Sequence, residues 1–218
     1  MGDKSNEYGY IPSSPTQAEG SNTGIFEVND VTDLLLAGQW TLEDLGKLEL
    51  IETQTITSST AQIDFTDLGT GYNVHFITIN NFQPATDAQD LNFRVLVGGS
   101  VQTGASDYAR AFNINYSNGT NSEDRDPDLD RLRLIPEIGT STGELANGYL
   151  YMYNALDSSK YTFFTQHSTF ISRDPHYATT FGSGSYLQSN TLSGIRFYMS
   201  FGNINETEIS IYGIKEYS

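Results

Sequence analysis

The sequence predicts an all-β protein: an antiparallel β-sandwich, jelly-roll-like, behind an extended N-terminal arm containing short helices. Three observations carry this. From residue 49 onward apolar residues alternate with period two in short runs, as in Ile63/Phe65, Val74/Phe76 with Thr78, Phe93/Val95/Val97 and Tyr149/Tyr151/Tyr153. Turn-forming pairs (Thr70-Gly71, Gly98-Gly99, Asn118-Gly119, Gly202-Asn203) separate the runs. The 14 Tyr and 12 Phe suit wide sheet faces, and the 20 Gly suit frequent turns.

The elements follow in order. Residues 1–24 are polar and rich in Ser, Pro, Gly and Asn, so alone they bury too little apolar surface to offset their ordering entropy. Such a segment is expected to be held by a neighbour. Residues 25–48 differ. Asn29 or Asp30 can cap a short helix over residues 31–37, with Gly38 as its stop, and Thr41 with Asp44 resembles a second capping box. Ile25, Phe26, Val31, Leu34, Leu35 and Trp40 are too many apolar groups for a free tail. They are the predicted subunit-docking residues; the alternative is that they pack on the chain's own sheet. The expected division is an anchoring arm over residues 1–48 and a sandwich over 49–218.

Ten strands are predicted: 49–57, 60–67, 72–80, 91–97, 109–116, 148–154, 161–170, 186–188, 194–201 and 206–215. The last two read as a hairpin around Gly202-Asn203, with Ile195, Phe197 and Met199 on one face of the first strand and Ile209 and Ile211 on one face of the second. No helical pattern and no internal repeat interrupts this part.

Charge and composition exclude several functions. The net charge of -16 repels a phosphate backbone, so direct nucleic-acid binding is disfavoured. The absence of cysteine removes disulfide scaffolds, thiolate metal sites and cysteine nucleophiles. No apolar run is long enough to span a bilayer, and the first residues lack the apolar core of a secretory signal. Three glycosylation sequons, at Asn115, Asn118 and Asn205, therefore read as chance.

Candidate chemistry is sparse. Asp126, Asp128, Asp130 and Glu137 match positions 1, 3, 5 and 12 of a calcium loop. Arg131 stands where glycine is needed, and no flanking helix is predicted, so a solvated loop with internal ion pairs is the preferred reading. His75, His167 and His176 show no metal-ligand spacing. The Gly182-Ser-Gly-Ser-Tyr stretch lacks a following helix and reads as a flexible turn rather than a phosphate loop. Asp64, Glu144, Glu206 and Glu208 are the carboxylates a glycosidase would draw on, but outward solvated charges explain them. Tyr149, Tyr151 and Tyr153 share one face. Burial in the domain's own core is the preferred reading, then a subunit interface, then a sugar platform.

Three segments carry a family resemblance. The closing Ser193-Gly-Ile-Arg-Phe-Tyr-Met-Ser-Phe-Gly-Asn-Ile-Asn, followed by Ile209-Ser-Ile-Tyr-Gly-Ile-Lys215, is similar to the GIRFY…SGNI…LYGIK ending of tailed-bacteriophage virion β-sandwich proteins, tail fibres among them. Leu156-Asp-Ser-Ser-Lys160-Tyr-Thr-Phe resembles the segment before a long strand in those proteins, and Gly24-Ile-Phe-Glu-Val-Asn-Asp-Val31 with Gly38-Gln-Trp40 resembles a motif preceding such domains. The resemblance implies a non-enzymatic virion structural protein (capsid decoration, tail or fibre part, or adaptor) anchored by its arm. It implies other virion proteins as partners, a homo-oligomer, and no cofactor, metal site, nucleic acid or membrane insertion. The alternative is a carbohydrate-binding, receptor-recognising module of a fibre, with a host surface glycan as its ligand.

Overall fold

The computed structural model describes residues 48–215, which form two antiparallel sheets packed face to face as a β-sandwich. The strands in chain order are β1 (Leu48–Ile56), β2 (Gln62–Phe65), β3 (Val74–Pro84), β4 (Gln89–Val97), β5 (Ser100–Val101), β6 (Tyr108–Tyr116), β7 (Asn121–Leu129), β8 (Leu132–Ile138), β9 (Ala146–Tyr153), β10 (Thr162–Ile171), β11 (Tyr177–Tyr186), β12 (Gly194–Met199) and β13 (Ile204–Ile214). No helix occurs among the described residues. The arm, its short helices and the predicted docking residues Ile25, Phe26, Val31, Leu34, Leu35 and Trp40 lie outside them.

The large sheet has the order β1-β13-β3-β9-β10-β11-β6-β7. The small sheet runs β2-β12-β4, with β5 and β8 pairing with β4 at different heights. The connections β1–β2, β3–β4, β8–β9 and β12–β13 each cross from one sheet to the other. The wing β10-β11-β6-β7 extends the large sheet beyond β9 through the hairpins β9–β10, β10–β11 and β6–β7, joined by the pairing of β11 with the earlier strand β6. Gly98 and Gly99, at φ 55° and 79°, make the tight β4–β5 turn, which needs two left-handed residues.

The closing strand pair is not the hairpin its pattern predicts. β12 bonds to β2 and β4 in the small sheet, whereas β13 bonds to β1 and β3 in the large one. The predicted apolar faces are right: Ile195, Phe197, Met199, Ile209 and Ile211 are all buried. They face one another across the interior instead of lying side by side. The polar groups of the connection bond to β4 and to neighbouring loops: the Ser200 amide donates to the Asp90 carbonyl (2.9 Å), the Ala85 amide to the Asn203 carbonyl (2.9 Å), and Asn203 Nδ2 to Ser59 Oγ (2.9 Å). Alternation fixes which face of a strand is apolar, and both arrangements satisfy it.

Phe93 of the small sheet anchors the core, edge-on to Phe164 of the large sheet at 5.0 Å and 6.0 Å from Phe197. In β3 the buried set is His75, Ile77 and Ile79, so Val74, Phe76 and Thr78, the alternation visible in the sequence, point outward. The wing closes over the small sheet through a half-buried ion network. Arg110 Nε donates to Asp124 Oδ1 at 2.8 Å, and Arg133 of β8 donates to Asp124 and, at 3.3 Å, to Asp90.

Four readings of this region are corrected. The acidic stretch expected as a loop is strand β7; it pairs with β6, its Asp124 directed inward to the arginines. β8 and the two-residue β5 were not predicted at all. The supposed flexible turn at residues 182–186 lies inside β11, of which only the last residue was predicted. Its glycines serve close approach: a Cβ on Gly184 would meet Leu132 Cδ2 at 2.7 Å.

His75 is fully buried, with Nε2 donating to the Leu68 carbonyl (2.8 Å) and Nδ1 without a partner. Burial holds its pKa below the ordinary 6.5 despite the opposing carbonyl bond. The folded state therefore favours the neutral ring. The associated stability is complete above about pH 6.5 and falls as the pH drops through the depressed value, with a slope of at most about 1.4 kcal/mol per pH unit for one proton. Urea unfolding of His75→Gln between neutral and mildly acidic pH is expected to show a correspondingly flatter acid limb than the parent chain. Equal limbs would show that the ring is not held neutral.

Candidate interaction surface

The outer face of the large sheet is built from the residues that alternate with its core set. Strand registers place them in rows running across the sheet. One row is Leu50, Tyr212, Phe76, Tyr151, Thr165, Ser183, Ala111 and Arg125, from β1 to β7. A row to one side runs Leu48, Ile214, Val74, Tyr153, Phe163, Ser185 and Ala109. On the other side the order is Thr53, Ser210, Thr78, Tyr149, His167, Phe181, Asn113 and Glu123.

From β1 to β6 these three rows contain no Lys, Arg, Asp or Glu. In a chain of net charge -16 this is a selective absence. The outer face of the small sheet is the ordinary case: Asp64, Arg196 and Arg94 lie in register, Arg196 holds Asp64 through two bonds of 2.6 and 2.5 Å, and Arg94 pairs with Asp130.

The tyrosine stripe is therefore not core. Leu150 and Met152 fill the interior, and Tyr149, Tyr151 and Tyr153 stand on the outside. They are ordered among themselves. Tyr151 and Tyr153 stack with centroids 6.2 Å apart, Phe76 lies 4.9 Å from Tyr151, and Phe76 and Tyr212 are 6.3 Å apart. Tyr149 meets the His167 ring edge-on at 5.8 Å; His167 Nε2 contacts Thr179 Oγ1 at 3.0 Å, and the Tyr153 hydroxyl contacts Thr165 Oγ1 at 3.2 Å. Strand backbones and mutual contacts thus preorganise the rings.

The face is uneven. In the Leu50 and Leu48 rows the β1-β13-β3-β9 half carries large side chains and strands β11 and β6 of the wing carry small ones, whereas in the third row Thr53, Ser210 and Thr78 are small and His167 and Phe181 of the wing are large. The small wing residues Ala109, Ala111, Ser183 and Ser185 floor an open trough of about 770 Å³ walled by Phe163 and Thr165 on one side and Arg125 and Pro127 on the other. A smaller hollow of about 290 Å³ lies between Phe76, Asn80, Asn147, Tyr149 and His167. Phe163 and Phe181 remain about half exposed. With Leu48, Leu50 and Tyr149 also exposed, the face is a candidate interaction surface.

The other candidates are not assembled into a site. Asp64 is held by Arg196, Glu144 accepts from the Ser141 amide at 2.7 Å, and Glu206 and Glu208 lie on β13; none of the four lines either hollow. In the calcium-like spacing, Asp126 accepts from the Asp128 amide and Asp130 from Arg94 and Arg131. Among the described residues no group of three or more His, Asp or Glu is placed to hold a metal ion. No helix among them is long and apolar enough to cross a membrane. Sequence reasoning singled out the three tyrosines but missed Phe76, Phe163, Phe181 and Tyr212 as members of this face. Phe163 was hidden because Phe164, its neighbour on the opposite face, is equally apolar.

No family model matches the chain, and no curated protein does. Among solved structures, the crystal structure described as A. japonicus CB05 aligns with a TM-score of 0.30 and 14% identity over 94% of this chain. The chain spans 31% of the length of that structure, and a likeness at this level carries no inference about fold or function.

Proposed function

We propose that the chain is a non-enzymatic structural component of a tailed-phage virion, as capsid decoration, tail or fibre part, or adaptor. Residues 1–48 act as its anchor, and the outer face of the large sheet docks against another protein of the particle. The observation that carries the docking role is the charge-free aromatic face on a strongly acidic chain. The similarity of the closing segment to virion sandwich proteins supplies the particle. The wiring supports the jelly-roll reading: β1-β13-β3-β9 and β2-β12-β4-β8 are two interleaved four-strand sets, linked by sheet-to-sheet crossings.

Particles assembled with altered copies test this. Deleting residues 1–40, or replacing Tyr151 with lysine in the full chain, is expected to abolish incorporation while the sandwich still melts cooperatively. Normal incorporation of both variants would sink the reading. A second reading, a carbohydrate-binding module, is favoured by the tyrosine rings standing beside a hydroxyl-lined trough. In that case particles would form normally with the lysine variant, and glycan binding would be lost instead.

A further inference from the structure

We infer that the occupant of the aromatic face is a second copy of this chain, related by a two-fold axis lying in the interface, parallel to the strands and between β9 and β10. This rests on reading the face as a protein interface and names its partner.

The large-and-small division of the face carries the inference. A two-fold axis in that position lays the β1-β13-β3-β9 half of each copy over the wing of the other and keeps each row over itself. In the central row Tyr151 then opposes Thr165, Phe76 opposes Ser183, and Tyr212 opposes Ala111. Beside it Val74 opposes Ser185 and Ile214 opposes Ala109, while Tyr153 and Phe163 meet next to the axis. In these two rows the bulkier side chain of one copy enters the trough of the other at β3 and β13; in the third row the order is reversed, with Phe181 over Thr78 and Asn113 over Ser210, so large still meets small. A surface complementary to itself under one rotation is what an isologous interface requires.

Charge and area agree. Two chains of net charge -16 repel one another, and these rows let them approach without juxtaposed carboxylates. Seven strand intervals and three rows of side chains cover about 700 Å² per copy by strand spacing, close to the roughly 800 Å² per partner of a stable interface.

Sedimentation velocity of the full chain at micromolar concentrations is expected to show a species of twice the 24.1 kDa chain mass. Ser183→Trp, which fills the trough, and Tyr151→Lys, which places a charge in it, are each expected to weaken association by about 30-fold or more. A cross-linking experiment reads the geometry independently of either variant. The chain has no cysteine, so Ala111→Cys and Tyr212→Cys chains provide the only thiols. Within one copy these positions are five strands apart, about 24 Å, whereas facing sheets pack about 10 Å apart. A short bismaleimide is therefore expected to join the two variants when mixed, and neither when alone. A monomeric parent chain would overturn the inference; if Tyr151→Lys still failed to enter particles, the docking role of the face would stand with a different partner. A dimer unaffected by both substitutions and without the mixed cross-link would place the interface elsewhere and overturn it too. A monomer that binds a glycan array through Tyr151 would assign the face to sugar.

Discussion

Replacing Asp124 with alanine is expected to lower the unfolding free energy by about 3–5 kcal/mol, read from urea titration at neutral pH. Its side chain is only 11% exposed and is shared by Arg110 and Arg133, themselves 14% and 22% exposed. Both guanidinium groups lie against the Phe112 ring, at 5.9 and 5.8 Å, so neither can turn to water without abandoning the core. Without Asp124, Arg133 keeps Asp90 at 3.3 Å, and Arg110 loses its charged hydrogen-bond partner. Burial already pulls the Arg110 pKa down, the direction expected of a cation short of solvent. The triple replacement Arg110→Met, Asp124→Leu and Arg133→Met is expected to recover most of the loss, because a well-packed apolar set removes both arginines and the carboxylate between them, while Asp90 keeps the Glu137 amide at 2.9 Å. A loss below about 1 kcal/mol for the single variant would show that the network is solvated, as surface pairs are.

The second large effect is expected at Gly194, the glycine that opens the closing motif. A Cβ there would stand 2.1 Å from the Phe65 carbonyl oxygen, with Thr66 Cα at 3.1 Å. The obstacle is the backbone of β2, which cannot yield as a side-chain tip does. Gly194→Ala must therefore push β2 away from β12, although Phe65 and Phe197 are buried with their rings 6.2 Å apart. We expect a loss of about 3 kcal/mol, at the upper end for overpacking, visible as a lower thermal midpoint without loss of the β-sheet circular dichroism signal. An unchanged midpoint would mean that β2 is only loosely seated.

Much of the sandwich was legible in the sequence because period-two alternation is a local property. Ile63/Phe65 and Phe93/Val95 announced their strands, and both pairs are buried. β7 was hidden because its sequence, Asn121-Ser-Glu-Asp-Arg-Asp-Pro-Asp-Leu129, contains no apolar residue before its end. What makes it a strand is a partner, β6, and two arginines from elsewhere in the fold, which no local pattern records. β8 was hidden for the opposite reason: Leu132, Leu134, Ile135, Pro136 and Ile138 are all buried, so the run does not alternate cleanly. The candidate surface was half legible. The tyrosine stripe was visible, but whether it faced in or out depends on which of two apolar faces the fold buries. Leu150 and Met152 won that competition because flexible aliphatic side chains fill the interior, while the phenol hydroxyls stay outside, where that of Tyr153 meets Thr165 Oγ1.

The pairing of β1 with β13 bears on how the domain would carry mechanical load. Leu48 lies opposite Ile214, so the two ends of the described chain leave from neighbouring points on one sheet. A pull applied through them would open the β1–β13 ladder one hydrogen bond at a time, like a zipper, whereas strands loaded in shear break many bonds together. Such a domain is a weak link when tension passes through it end to end.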